Sequence, residues 1–270
     1  MVVEKLFISY RRPRRICLIG EGRWDCFQIN GNRFQRIHSV ATTGMLGVPA
    51  REENRLRAVL GNREWGVVLR SDSFIFNIFD FERLPFREKS RRDVTEWRLQ
   101  KIFPEDISRF DHRVFPLGRN RVLSVLLPVA ERERLTAWFR ERNIPLIFMG
   151  NSTMELMNHL WRHLILPWGK EKPKILVEID HNLVVVVFQE KMRPYYIRKF
   201  RCESSADFMA EMRKTREYVR SNYHQEPESV GYFPGTPAFE FSGESSIWKE
   251  LGLRRVASGN RATAFLWGSE

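Results

Sequence analysis

The order of elements constrains this chain more than any single motif. A hairpin, a third strand and a helix occur twice, near 16–60 and near 175–222. In the first copy Ile16–Leu18, Trp24–Ile29 and Asn32–Ile37 read as short strands, with turns at Gly20–Gly22 and Asn30-Gly31. Asn-Gly is a strong hairpin signal because both residues accept a positive φ. A helix over 51–60 is closed by Gly61. In the second copy the strands are Ile175–Ile179, Leu183–Phe188 and Tyr195–Phe200. The helix Ser204–Tyr223 follows, with Phe208, Met212, Thr215 and Val219 on one stripe.

The segment between the copies predicts strands at Trp65–Arg70 and Phe74–Phe81, the latter apolar on both sides as a buried strand is. A helix over Arg87–Phe103 is stopped by Pro104, with Ser90 or Asp93 as its cap and Val94, Trp97, Ile102 and Phe103 on one side. A strand pair (110–115, 122–127), a helix (130–142), a strand (146–149) and an amphipathic helix (151–166) complete the first half. Residues 167–174, rich in Pro, Gly and Lys, read as a linker. A strand at 229–233, a helix near 245–251, a strand at 253–256 and a tail helix at 261–267 finish the chain. The expectation is an α/β protein of two similar lobes facing a cleft. The first lobe (1–166) carries an inserted α/β subdomain at about 85–148. The second (167–270) ends in a tail helix free to return to the first.

Charge and cysteine usage narrow the setting. Forty-five basic and 33 acidic residues give a net charge of +12, which attracts nucleic acid, anionic lipid or acidic protein faces. The densest basic runs are Arg11, Arg12, Arg14 and Arg15, then Arg87, Lys89, Arg91 and Arg92. The aromatic residues fall on core faces rather than between these basic residues, which disfavours nucleic acid and favours lipid or acidic partners. Three scattered cysteines argue against a disulfide framework and for a reducing compartment. No apolar run approaches the ~20 residues of a membrane helix. The chain is therefore read as cytoplasmic. His159 and His163 stand four apart, but Leu160 replaces the glutamate of a zinc-protease motif, so they read as ordinary helix residues and no metal site is expected.

Several segments carry a family resemblance. DVTEWRLQKIFPEDISRFDHRVFP (93–116) and the stretch from Val122 to Trp161 resemble the PilM proteins of type IV pili and the cytoplasmic part of the GspL proteins of type II secretion. ILVEIDHNLVVVVFQEKMRPYYIRKF (175–200) is similar to their second phosphate-loop hairpin, and 229–256 to their adenine-side segment. The resemblance implies an actin-like (ribonuclease H-like) two-lobed fold and a docking scaffold of an inner-membrane assembly platform. It implies as partners PilN- or GspM/GspF-like inner-membrane proteins and a pilus or secretion motor ATPase. A chain that ends at Glu270 without a membrane helix fits the stand-alone PilM arrangement better than GspL.

The same resemblance locates a nucleotide site, and the residues there depart from it. An actin-like site uses two D-x-G loops, because backbone amides must approach phosphates closely and the acid helps to hold Mg²⁺. The first loop keeps Gly20 and Gly22 but places Leu18 where the acid belongs. The second is Glu178-Ile179-Asp180-His181-Asn182, with Asp180 at the glycine position. The adenine side has Tyr232-Phe233-Pro234-Gly235 instead of Gly-Gly. The expectation is a degenerate site with no cofactor and no catalysis. The alternatives are a working ATP- and Mg²⁺-binding protein of the same fold, with Glu178 and Asp180 holding metal differently, and a basic nucleic-acid-binding module. Phe79, Phe81, Leu84, Pro85 and Phe86 are the candidate groove for a partner's tail, because tails add to edges or lie in apolar grooves.

Overall fold

The structure, a computed structural model, describes residues 13–20, 22–30, 33–103, 106–118, 120–154, 173–190, 193–232 and 253–255. The chain divides into two compact units, Met1–His159 with Thr263–Glu270 and Leu160–Ala262.

The first unit runs β1 (Arg15–Gly20), β2 (Arg23–Asn30), β3 (Arg33–Ala41), α1 (Ala50–Leu60), β4 (Trp65–Leu69), β5 (Ile75–Asp80), α2 (Glu88–Ile102), β6 (Phe110–Pro116), β7 (Arg121–Pro128), α3 (Val129–Glu141) and β8 (Leu146–Asn151). Its main sheet has the order β3-β2-β1-β4-β8. The first three strands form an antiparallel meander, and β4 and β8 add in parallel. β4 (WGVVL) is buried at every position, as a strand in the parallel part of a covered sheet requires. The indole of Trp65 donates to the Leu60 carbonyl at 2.8 Å, which ties the end of α1 to the start of β4. Trp24, wholly buried on β2, donates to the Met45 carbonyl and lies 4.8 Å edge-on from Trp138 of α3.

A second, three-stranded sheet in this unit has the order β5-β7-β6. Leu99 of α2 shares its core with Phe79, Leu84, Ile107, Val122 and Leu126. Two expectations are corrected here. The strand expected to be buried on both faces is β5, an edge strand whose residues 75–78 are only half buried. Its apolar run reflects a sheet covered on both faces but open at that edge. The buried positions of α2 are Thr95 and Leu99, whereas Trp97 and Ile102 are each 55% exposed. Thr95 tolerates burial because its hydroxyl donates to the Arg91 carbonyl one turn back, at 2.7 Å. The cap is Arg87 and makes no side-chain bond, so Ser90 and Asp93 lie inside the helix.

The second unit repeats the plan with β9 (Lys174–Asp180), β10 (Leu183–Glu190), β11 (Arg193–Arg201), α4 (Ser205–Tyr223), β12 (Glu228–Tyr232) and β13 (Leu253–Arg255). The order β11-β10-β9-β12-β13 matches that of the first main sheet strand for strand. α4 opens on a complete capping box between Ser204 and Asp207. It buries Phe208, Met212 and Val219 against Ile175, Val177, Val186 and Phe188. The expected stripe of α4, Thr215 included, is the buried one. The expected helix at 151–166 beyond residue 154, the helices near 245–251 and 261–267, His159, His163 and Gly235 lie outside the described residues.

Candidate functional site

The β1–β2 turn is tight. Gly20 pairs with Arg23, and Gly22 has φ +85°, a conformation glycine adopts without strain. Leu18 is buried in a cluster with Ile16, Val68 and Phe148, so the position of the expected acid is part of an apolar core. The acid of this hairpin is Asp25, directly opposite Leu18 on β2 and 5% exposed. Three arginines surround it: Arg23 donates to Oδ1 at 3.0 Å, Arg70 stands 3.7 Å from Oδ2, and Arg36 lies 3.9 Å from Oδ1.

Arg70 leaves the end of β4 and crosses Gly20. A Cβ built on Gly20 would lie 2.2 Å from Arg70 Cδ and 2.7 Å from Nε. The room that a glycine provides for a phosphate in a nucleotide loop is filled here by an arginine of the same unit, itself 4% exposed. Neither Asp25 nor Arg70 was singled out from sequence. The available signal was a lone arginine closing the apolar run WGVVL.

The β9–β10 turn is equally short, with Asp180 paired to Leu183 and His181 at φ +56°. Asp180 thus occupies the place of Gly20 and Glu178 that of Leu18. Glu178 is 2% exposed, and period-2 alternation puts it on the same side of β9 as Asp180. Asn182 is a turn-builder: its side-chain oxygen accepts from Arg201 at 2.8 Å, and its carbonyl accepts from the Cys202 amide at 2.8 Å. Two carboxylates on one side of this strand would repel a phosphate placed there.

Two further constellations arise from the packing. Ser124 Oγ lies 3.0 Å from His112 Nε2, and His112 Nδ1 lies 3.3 Å from Glu96 Oε1, which Arg92 also binds. The order of groups is that of a hydrolytic triad, but Ser124 is fully buried in the central strand of its sheet. It joins α2 to the sheet and cannot meet a substrate. Burial lowers the His112 pKa, against the opposing pull of Glu96. Cys17 and Cys26 face each other across β1 and β2 with sulfurs 3.2 Å apart, and burial raises the Cys17 thiol pKa well above its usual value.

Of the five residues singled out for a partner, Phe79 and Leu84 lie in the core beneath α2, and Phe81 packs against that core with Arg98 over its ring. Pro85 is half-buried, and Phe86 is 94% exposed.

No protein-family model matches the sequence, and no curated protein matches it. Solved structures do. The PilM–PilN type IV pilus biogenesis complex matches with a TM-score of 0.67 at 14% identity, over 91% of this chain and 88% of the other. A Bacteroides thetaiotaomicron protein with actin-like ATPase fold and unknown function matches with a TM-score of 0.58 at 12% identity, over 94% and 96%. This chain has the actin-like ATPase fold. The cytoplasmic domain of EpsL, an inner-membrane component of the Vibrio cholerae type II secretion system, has a TM-score of 0.58 at 10% identity, over 93% and 92%. At these identities the likeness is one of architecture. The two five-stranded sheets share one strand order, and the β5-β7-β6 sheet with α2 lies between β4 and β8 in the chain, beginning at Ile75 rather than at the expected residue 85.

Proposed function

We propose that this actin-like protein is a non-catalytic scaffold at the cytoplasmic face of a type IV pilus or type II secretion assembly platform. It joins a PilN-like or GspM/GspF-like inner-membrane protein to the motor ATPase and touches the anionic membrane peripherally. The likeness to the PilM–PilN complex over nine-tenths of the chain supports the setting. The observation that carries the non-catalytic reading is Arg70 lying across Gly20. Leu18 in an apolar cluster argues the same way, because no acid stands there to help hold Mg²⁺, and the two carboxylates Glu178 and Asp180 on one side of β9 put like charge where a phosphate would have to lie.

Calorimetry of purified protein with ATP and Mg²⁺ tests the reading. Absence of saturable heat at tens of micromolar protein is the expected result. Low-micromolar ATP affinity would instead make the protein a nucleotide-binding member of the fold. Capture of the protein by an immobilised N-terminal tail of a PilN-like protein tests the docking half.

A further inference from the structure

Among the described residues the large exposed apolar side chains are Phe86, Trp97, Ile102 and Tyr218, and the first three fall within the inserted subdomain. Phe86 stands apart at 94% exposure. It is not on a slack loop. Two residues before it, Leu84 is anchored in the core with Leu99 and Val122. Five residues after it, the Arg91 guanidinium donates to the Phe86 carbonyl and reaches that of Pro85 at 3.5 Å. The chain is held on both sides of Phe86, and the ring is directed away from the protein.

The segment that carries this ring is basic. Arg83, Arg87 and Lys89 beside it in the chain are exposed, and further along α2 so are Arg98, Lys101 and Arg92, the last paired with Glu96, against three exposed acids between 82 and 102. Trp97 on the next turns of α2 carries the Lys101 ammonium 3.6 Å above its ring. An aromatic face with a cation over it suits a boundary between water and an apolar phase, because the ring enters one and the charge stays in the other.

We infer that the Phe86 tip and the basic residues flanking α2 form a contact surface for an anionic phospholipid bilayer, with the Phe86 ring entering the headgroup region. The inference rests on the proposed position beside the inner membrane and assigns the surface that makes the contact. Shape selects the bilayer over a protein tail. A tail docks by adding to a sheet edge or by lying in an apolar groove, and Phe86, between β5 and α2, belongs to no edge strand and protrudes where a groove would recede. A bilayer accepts a projecting ring wherever it meets one, and anionic headgroups supply charges for the arginines and lysines at about 1 kcal/mol each.

Co-sedimentation of the full chain with phosphatidylcholine vesicles, with and without about one lipid in three as phosphatidylglycerol, tests this. The expected result is binding that requires phosphatidylglycerol and weakens with salt. Phe86→Ser is expected to lower it about tenfold, equivalent to ~1.4 kcal/mol, and Arg87→Glu with Lys89→Glu to lower it further. Both sites are exposed, and unchanged thermal unfolding verifies the fold of each variant. Absence of binding, equal binding to pure phosphatidylcholine, or full binding by Phe86→Ser overturns the inference. The same variants go into tail capture. Lost lipid binding with intact tail capture supports this surface and leaves docking standing. Lost tail capture by the wild type with intact lipid binding overturns docking and leaves this surface standing. Lost tail capture in Phe86→Ser with unchanged lipid binding makes Phe86 a protein anchor and overturns the inference.

Discussion

Gly20→Ala is the sharpest test of how the first hairpin is built. The added methyl would stand 2.2 Å from Arg70 Cδ, 2.7 Å from Nε and 3.1 Å from Cγ. Arg70 has little freedom to withdraw. Its side chain is 5% exposed beside Asp25, and its amide donates to the Ile19 carbonyl at 2.9 Å. Overpacking of this kind costs about 1–3 kcal/mol, or a fall in Tm of roughly 3–10 °C for a domain of this size. Arg70→Ala alone should destabilise by about 1–3 kcal/mol, because Asp25 keeps Arg23 and Arg36. In the Arg70→Ala background, Gly20→Ala should become nearly neutral, since Gly20 is not among the glycines at positive φ. The two changes should therefore couple by about 1–3 kcal/mol in a double-mutant cycle. Gly22→Ala is the control: its φ of +85° strains any side chain, while the nearest atom to its Cβ is Thr42 O at 3.8 Å. Its effect should ignore Arg70. Urea unfolding of the four proteins in the Gly20 cycle measures the coupling, and additive losses would refute the packing of Arg70 over Gly20.

Two further outcomes follow from hydrogen-bonded polar groups. Burial holds the folded-state pKa of His112 below the ordinary histidine value of about 6.5; the unfolded chain therefore takes up its proton first, and stability should fall as pH drops below about 6.5 towards the lower folded value. His112→Gln should flatten that slope in urea midpoints measured between about pH 7.5 and 5. Ser204→Ala removes the hydroxyl that accepts from the Asp207 amide at 3.1 Å and should cost about 1 kcal/mol in thermal unfolding, with an unchanged midpoint contradicting the capping box.

The repeated plan was legible because its two hairpins are short and strongly patterned. Val184 to Phe188 is an unbroken apolar run and the stripe on α4 follows helical spacing, and the structure buries both accordingly. α2 was read with Trp97 and Ile102 inward, and both are exposed, while Phe103 of the same set does pack on the core. Its few apolar residues define no clear stripe, and the buried Thr95 satisfies its hydroxyl within the helix, a solution that periodicity does not register. The loop chemistry was partly legible. Leu18 and Asp180 stand out only against the resemblance, which leads one to expect an acid and a glycine at those positions. Asp25 and Arg70 did not, because they meet only when β2 and β4 flank β1. The Ser124–His112–Glu96 contact was invisible for the same reason, its members coming from three separate elements.

The parallel pairing of β4 with β8 sets an order of events during synthesis. Trp65 finds Leu146 and Leu69 finds Asn151 only after the whole inserted subdomain has been made. Closing so long a loop is entropically unfavourable unless the insert first condenses and brings its ends together. Until then β4, apolar at every position, has one unpaired edge, a surface prone to pair with another chain. The β9–β10–β11 meander needs no such wait, since each strand meets its neighbour across a short turn. A nascent chain of this protein should accordingly be most vulnerable to misassembly, and most in need of a holding chaperone, between the emergence of β4 and that of β8.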